Sequence, residues 1–367
     1  MRERVPTYWS YLKLEELLSL QSGLDQDESD IHPDELHFIL VHQTLELWLK
    51  LILSELRLAR NQLEAANVPE QDIPNVVHHM RRIIEILKHS VNQFDVVETL
   101  TARDFLSFRD KLFPASGFQS FQMREMEILL GLEESKRAHL GKVSPIKYLE
   151  ELAPRSKGGE QAWSRIANAA RETTLRTALH QWLYRTPIHG STPQDPNDEA
   201  VVNQFLSDYL DAWKERADIQ MQEMVEIGAA PEDAVKKRFE DSIAYVTGFL
   251  QATDIPESCR AETKRVRAAI VFVESYRELP LLAWPRLLLD TTVELEQRLV
   301  LFRQRHARMA ERIIGRRVGT GGSAGVDYLD KTSVHRIFSD LWAVRTVLLS
   351  KEALPPLANT APYAFAI

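Results

Sequence analysis

The sequence predicts an all-α protein, a helical bundle, and three observations carry that expectation. Apolar residues recur with a helical period along nearly the whole 367-residue chain. Period-two runs bounded by turn residues are scarce, so no extensive sheet is expected. Turn signals are gathered in four short stretches: NVPEQDIP (67–74), FPASG (113–117), RTPIHGSTPQDPND (185–198) and GTGGSAG (319–325).

Each element follows from the pattern between those stretches. From Asp34 to Ala66 the period puts Phe38, His42, Leu45 and Leu49 on one face and leaves Glu55, Arg57 and Arg60 to water. Residues 74–98 repeat the arrangement, with Val76, Met80, Ile83, Ile84, Leu87 and Val91 in the stripe. Further helices are expected at 101–112, 118–132, 145–152, 159–186, 197–228, 230–252, 258–278 and 286–315, with a last one near 333–350. The 185–198 stretch could join two domains. Both flanking helices are rich in aromatics and leucine, so residues 1–367 are read as one domain with a long loop.

Composition narrows the function. At 44% hydrophobic and 27% charged residues the chain has the balance of a soluble globular protein. A net charge of −8, with bases scattered among acids, argues against nucleic acid or an anionic membrane as the main partner. The single cysteine, Cys259, excludes an internal disulfide and any cysteine-based zinc or iron–sulfur site, which suits the cytoplasm. No uninterrupted apolar stretch of signal or membrane-spanning length is present.

Several residue groups could carry chemistry. His42 lies among apolar residues on a long helix; taken alone it reads as a core histidine satisfied by a carbonyl such as that of Glu46. His306 follows another long amphipathic run and by itself reads as a surface histidine. Two helical histidines could nonetheless flank one cofactor across a bundle. Asp34 and His37 offer half of a di-iron carboxylate motif, but no second Glu-x-x-His pair exists and the idea is set aside. Phe105 and Arg109, at i and i+4, put an aromatic face and a guanidinium on one side of a helix that must end near Pro114 and Gly117. Such an arginine suits a bidentate grip on a carboxylate, although the pattern alone favours a surface arginine. The stretch GTGGSAG lacks the Gly-Lys-Ser/Thr of a phosphate loop and follows a helix rather than a strand. It reads as a loop whose backbone can approach a ligand closely, with Thr320 supplying a hydroxyl. Nearby Arg312, Arg316 and Arg317 could meet acidic groups.

Taken in order, YWSYLKLEELLSLQ, DELHFILVHQTLELWLK, FRDKLFPASGFQSFQ, WLYRTPIHGSTP, FRQRHARMAERIIGRRVGTGGSAGVDYL and RIFSDLWAVRTVLL resemble the tryptophan 2,3-dioxygenase family over most of the chain. The resemblance implies haem b held between long helices, with His306 as the axial ligand of its iron. It implies L-tryptophan and O2 as substrates and N-formylkynurenine, the first product of the kynurenine pathway, as product. His42 would meet the indole N–H, with Phe38 as pocket wall. Arg109 would clamp the carboxylate and Thr320 would close over the amino-acid group. Phe105 and Leu112 would line the substrate pocket, and Ser116 and Gly117 would lie against the cofactor. The family assembles as a homotetramer in which an N-terminal arm, here about residues 1–22, brings Tyr8 and Tyr11 to a neighbour's site. His37, Trp9 and Ala324 depart from the family's usual residues, the first two at the pocket rim. The same scaffold could instead insert a single oxygen atom into tryptophan or a substituted aromatic amino acid.

Overall fold

The computed structural model describes residues 5–24, 31–137, 144–321, 325–357 and 359–364. Among them are fifteen α-helices and no strand, only an isolated bridge between Ile188 and Ser191. Ser323 and Ala324 of the glycine-rich loop fall outside the described residues.

Two short helices, α1 (Tyr8–Leu12) and α2 (Leu14–Leu18), precede the long α3 (Pro33–Glu64). Pro33 at the first turn, Asp34 and Glu35 beside it, and the His32 ring accepting from the Asp34 amide all favour a helix start there. Then follow α4 (Ile73–Val97), α5 (Ala102–Phe108), α6 (Phe121–Leu130), α7 (Pro145–Leu152), α8 (Gly159–Ala169) and α9 (Leu175–Arg185). The second half holds α10 (Asp198–Glu226), α11 (Glu232–Leu250), α12 (Glu257–Ser275), α13 (Ala283–Ile314), α14 (Val326–Thr332) and α15 (Ser339–Val347). The end of α13 is set by Gly315, whose φ of 58° a side chain would resist.

Helix α4 packs on α3 along one side and on α13 along another. Its larger apolar core, running from Leu49 through Met80 and Phe272 to Val347, draws on α3, α4, α6, α9 to α13 and α15. A smaller cluster of Val41, Phe94, Val97, Phe105, Phe108, Phe302, Met309 and Ile313 lies where α3, α4, α5 and α13 meet. By length and composition α3 is apolar enough to cross a membrane, but its residues from Leu49 to Leu63 pack on α4, α6 and α9.

Four expectations need correction. The helix expected at 159–186 is two, because Thr174 caps α9 through the Thr177 amide (3.0 Å) and Glu172 turns toward α3. The segment 101–112 is α-helical only to Phe108 and finishes as a tighter 3₁₀ turn, and α6 starts at Phe121, where Ser120 caps it. The last helix is shorter than expected, and α14 precedes it. Glu55 and Arg60 do not face water. Glu55 is buried against His79 (2.7 Å) and Arg82 (2.6 Å), and Arg60 is buried against Glu172 (2.8 Å). Arg57 is half-buried between Glu125 (2.8 Å) and Glu172 (2.7 Å). The polar side of α3 is thus stapled to α4, to α6 and to the 170–174 turn.

One buried charge group ties α6 to α13. Glu127 receives Arg124 (3.0 Å), Arg137 (2.5 Å) and Arg303 (2.9 Å). Burial pushes its carboxyl upward, but the three guanidiniums outweigh that and hold it at about 2. Glu127→Gln leaves those guanidiniums around a neutral amide and is expected to cost about 3–5 kcal/mol in urea unfolding at neutral pH. A carboxyl held below its ordinary 4.5 contributes stability that is complete above that value and lost as the pH falls toward 2. The difference between wild type and variant should therefore be flat around neutrality and narrow on acidification below 4.5. A difference that widens there would contradict this role.

Candidate active site

The smaller cluster holds both histidines singled out from the sequence. His42 sits one turn after Phe38 on α3, and its Nδ1 lies 2.7 Å from the Phe38 carbonyl. A carbonyl can only accept, so Nδ1 carries the proton and Nε2 is left with its lone pair. Burial lowers the His42 pKa, against the opposing pull of the Phe38 carbonyl and Glu46, so the ring is neutral. The carbonyl that satisfies it comes one turn before, not from Glu46, which is held by Gln122 (2.7 Å). The Phe38 ring lies 4.0 Å from the His42 ring, tilted by 35°, and meets Phe105 at 5.8 Å and Phe108 at 5.9 Å.

His306 comes from α13. It is not a surface histidine: its ring lies 5.6 Å from Phe94 of α4, nearly parallel at 18°, and 6.3 Å from Phe302 one turn earlier. Burial pulls its pKa down to about 4, with the fields of His42 and Arg124 acting in the same direction. Among the described residues no hydrogen bond reaches either ring nitrogen, so this is a neutral imidazole with a lone pair to give. Phe94 and Phe302 were not singled out from the sequence. Each looks there like any phenylalanine on an apolar stripe, and only the packing of α4 on α13 reveals their partner.

Beyond the aromatic cluster lies a cavity of about 460 Å³ lined by Arg109, Asp110, Phe113, Val318, Gly319 and Thr320. Arg109 Nη2 donates to the Val318 carbonyl (2.6 Å), and the Thr320 hydroxyl donates to the Ala115 carbonyl. The loop after α13 is thereby laid across the turn that follows α5. Gly321 fits there because it is glycine: a Cβ would stand 2.8 Å from that of Ser116. Leu112 packs on the aromatic cluster and links the two halves of the site. Ser116 caps the Phe118 amide (3.4 Å), and beside Gly117 a Cβ would meet nothing within 4 Å.

The arrangement has a definite chemistry. Arg109 has no carboxylate within ion-pair distance among the described residues, so its charge is available to an anion. A hydroxyl stands beside it, and Leu112 leads from it to the aromatic cluster, where His42 keeps a lone pair on Nε2. A small molecule with a carboxylate at one end and a flat N–H-bearing ring at the other would be complementary to all of these.

Other groups are placed elsewhere. Arg312 pairs with Glu98 (3.4 Å) and Arg316 with Asp327 (2.8 Å), so neither is an uncommitted partner for an acidic group. Tyr8 and Tyr11 are 72% and 80% exposed and make no ring contact among the described residues. The end of their arm is tied to α3 beside His42, through Gln21 to Gln43 (2.7 Å) and Gln43 to the Leu20 carbonyl (2.9 Å). A larger cavity, about 820 Å³ between α9, α11 and α12, includes none of the sequence candidates. Its arginines are already paired, Arg176 with Glu133 and Arg267 with Asp254 and Asp340.

Comparison with known proteins gives the family. The family model for tryptophan 2,3-dioxygenase matches residues 2–348. A protein named tryptophan 2,3-dioxygenase 2 from Ralstonia nicotianae is 46% identical, the match covering 98% of each chain. A tryptophan 2,3-dioxygenase from Sorangium cellulosum is 45% identical over 98% of this chain and 87% of its own. Another, from Bdellovibrio bacteriovorus, is 34% identical over 95% of both. A family match that runs through every element lining the site, with relatives of this identity along their whole length, means that the chain belongs to the tryptophan 2,3-dioxygenase family.

Proposed function

We propose that the chain is a haem-dependent dioxygenase that adds both atoms of O2 to the indole ring of L-tryptophan, releasing N-formylkynurenine at the head of the kynurenine pathway, and that it works in the cytoplasm as a homotetramer. What supports the reading is an arginine without a carboxylate partner among the described residues, Arg109, close in sequence to Leu112, which packs on the aromatic cluster that seats a neutral histidine, His42.

The residues fit a haem. Among the described residues no cluster of three His, Cys, Asp or Glu could hold a bare metal ion. His306 instead offers one half-buried imidazole with no hydrogen-bond partner among the described residues, the donor that an iron already held by a macrocycle needs. Phe94, Phe302 and Phe105 supply flat apolar walls near it. When bound, haem supplies the oxygen chemistry; the protein's share is orientation and electrostatics.

That share can be followed atom by atom. Arg109 takes the substrate carboxylate, exchanging the Val318 carbonyl for a charged acceptor and a stronger hydrogen bond. Thr320 turns its hydroxyl from Ala115 to the same end of the substrate. Phe38 and Phe105 hold the ring plane, and His42 Nε2 accepts from the indole N–H. Fixing both ends of the substrate sets the ring carbons at one place and one angle, which is the protein's main contribution to rate. Ordering of the loop 318–321 over the site excludes water.

The subunit arrangement draws support from what the single chain leaves uncovered. Val5, Tyr8, Trp9, Tyr11, Leu12 and Leu18 on the arm are exposed, as are Leu40, Leu47, Leu51 and Leu58 on one side of α3. Exposed apolar surface of this extent marks a protein interface, and a neighbour's arm with Tyr8 and Tyr11 would suit it.

Two tests follow. Arg109→Ala is expected to weaken tryptophan binding by roughly 10- to 150-fold, the value of about 1.5–3 kcal/mol for a charge-assisted contact, and to act chiefly on KM. His42→Ala loses one hydrogen bond to a neutral N–H, about 1 kcal/mol, and should keep measurable turnover. Steady-state kinetics of both variants decide the matter: normal tryptophan binding in Arg109→Ala with a dead His42→Ala means the roles are reversed. Deleting residues 1–12 should raise KM and lower the assembly state while the helical circular dichroism signal persists. An unchanged KM in the truncated protein would place the arm away from the site.

A further inference from the structure

A histidine that ligates a metal usually donates its second ring N–H to a carboxylate, carbonyl or water, and that hydrogen bond fixes the orientation of the ring. His306 has no such partner among the described residues. What it has is two phenylalanine rings packed close to it. Phe94 lies nearly parallel to it, at 5.6 Å and 18°, and Phe302 lies at 6.3 Å and 30°; the two phenylalanines also pack on each other at 5.1 Å.

The two contacts are not equivalent. Phe302 is one turn earlier on the same helix, so it travels with His306 and cannot fix the imidazole relative to the rest of the bundle. Phe94 comes from α4 and is 1% exposed. Its neighbours lock the register of the two helices at this level. Arg305, adjacent to His306, pairs with Asp95 (2.7 Å), adjacent to Phe94, and with Glu98 one turn on; Arg312 adds a contact to Glu98 (3.4 Å). The hydrogen bond from Arg305 holds the Glu98 carboxyl below its ordinary range, so this clamp stays charged across the physiological range.

We propose that Phe94 is the positioning residue for His306: the ring that would ligate iron is oriented by stacking against a phenylalanine of another helix, with the Arg305–Asp95–Glu98 clamp setting the distance. The inference rests on the reading of His306 as the axial ligand. Stacking restrains the tilt of the imidazole but leaves rotation about its own plane less defined than a directed hydrogen bond would. Removing the Phe94 ring should therefore spread the ligand over several orientations without removing the ligand itself.

The test is resonance Raman spectroscopy of the reduced holoenzyme, reading the iron–histidine stretching band, with haem loss measured by transfer to an apo-globin acceptor. Phe94→Leu and Phe302→Leu remove comparable apolar area from one cluster, so a packing role alone would make them equivalent. Phe94→Leu is expected to broaden or split the band and to speed haem loss roughly 10-fold, within the range typical of lost outer-sphere partners. Phe302→Leu should keep the wild-type band, and Phe94→Tyr, which retains the ring, should restore it. Should Phe94→Leu fail to fold, Phe94→Met carries the same expectation. Wild-type bands in every variant, or equal broadening in both leucine variants, overturn the positioning role. Absence of any iron–histidine band in the wild-type protein overturns the ligand assignment instead.

Discussion

The packing of α4 between α3 and α13 is the constraint on which the site depends. It brings Phe94 to the face of His306 and, through Val41, Phe94 and Phe302 in one cluster, holds the α3 histidine within electrostatic reach of the α13 histidine. Burial in that cluster keeps both imidazoles neutral, and neutrality is what gives each its use. A protonated His306 would have no lone pair for a metal, and a protonated His42 could not accept from an N–H. The same apolar packing that stabilises the bundle therefore sets the protonation state of both residues.

The other half of the site is made by a loop rather than by helices. Arg109 and Thr320 are distant in sequence and meet because the chain after Gly315 folds back over the turn after α5, against Ser116. Their partners there are backbone carbonyls, neutral acceptors that a carboxylate can displace at a gain. A rigid aromatic wall and a polar rim that can be exchanged give the site a fixed end and an adaptable end.

Much of this was legible in the sequence, and the parts that were not have physical reasons. Long amphipathic runs such as 34–66 and 74–98 lie within two residues of α3 and α4 at each end, because their period is strong and Pro33, Asp34 and the NVPEQDIP turn mark their limits. The break at 171–174 is invisible to a periodicity argument, since Glu172 leaves the helix for Arg57 and Arg60 of another element. The burial of Glu55 and Arg60 fails for the same reason: one chain's pattern shows which face is apolar, not which polar face a later helix will cover. Roles for His42 and Arg109 came only through resemblance, as pattern alone favoured ordinary core and surface places for them, whereas Thr320 already read as a hydroxyl in a loop able to approach a ligand. Phe94 could not be named at all, because no feature of a single sequence gives the register of α4 on α13.

The central claim, that this site commits tryptophan to the addition of both oxygen atoms, is tested most directly by turnover under isotopically labelled O2 with mass analysis of the product. Incorporation of two labelled atoms into one product molecule, with L-tryptophan as substrate and the purified holoenzyme as the sole catalyst, is the expected result. A product carrying a single labelled atom, or no consumption of tryptophan by fully haem-loaded protein, would contradict it.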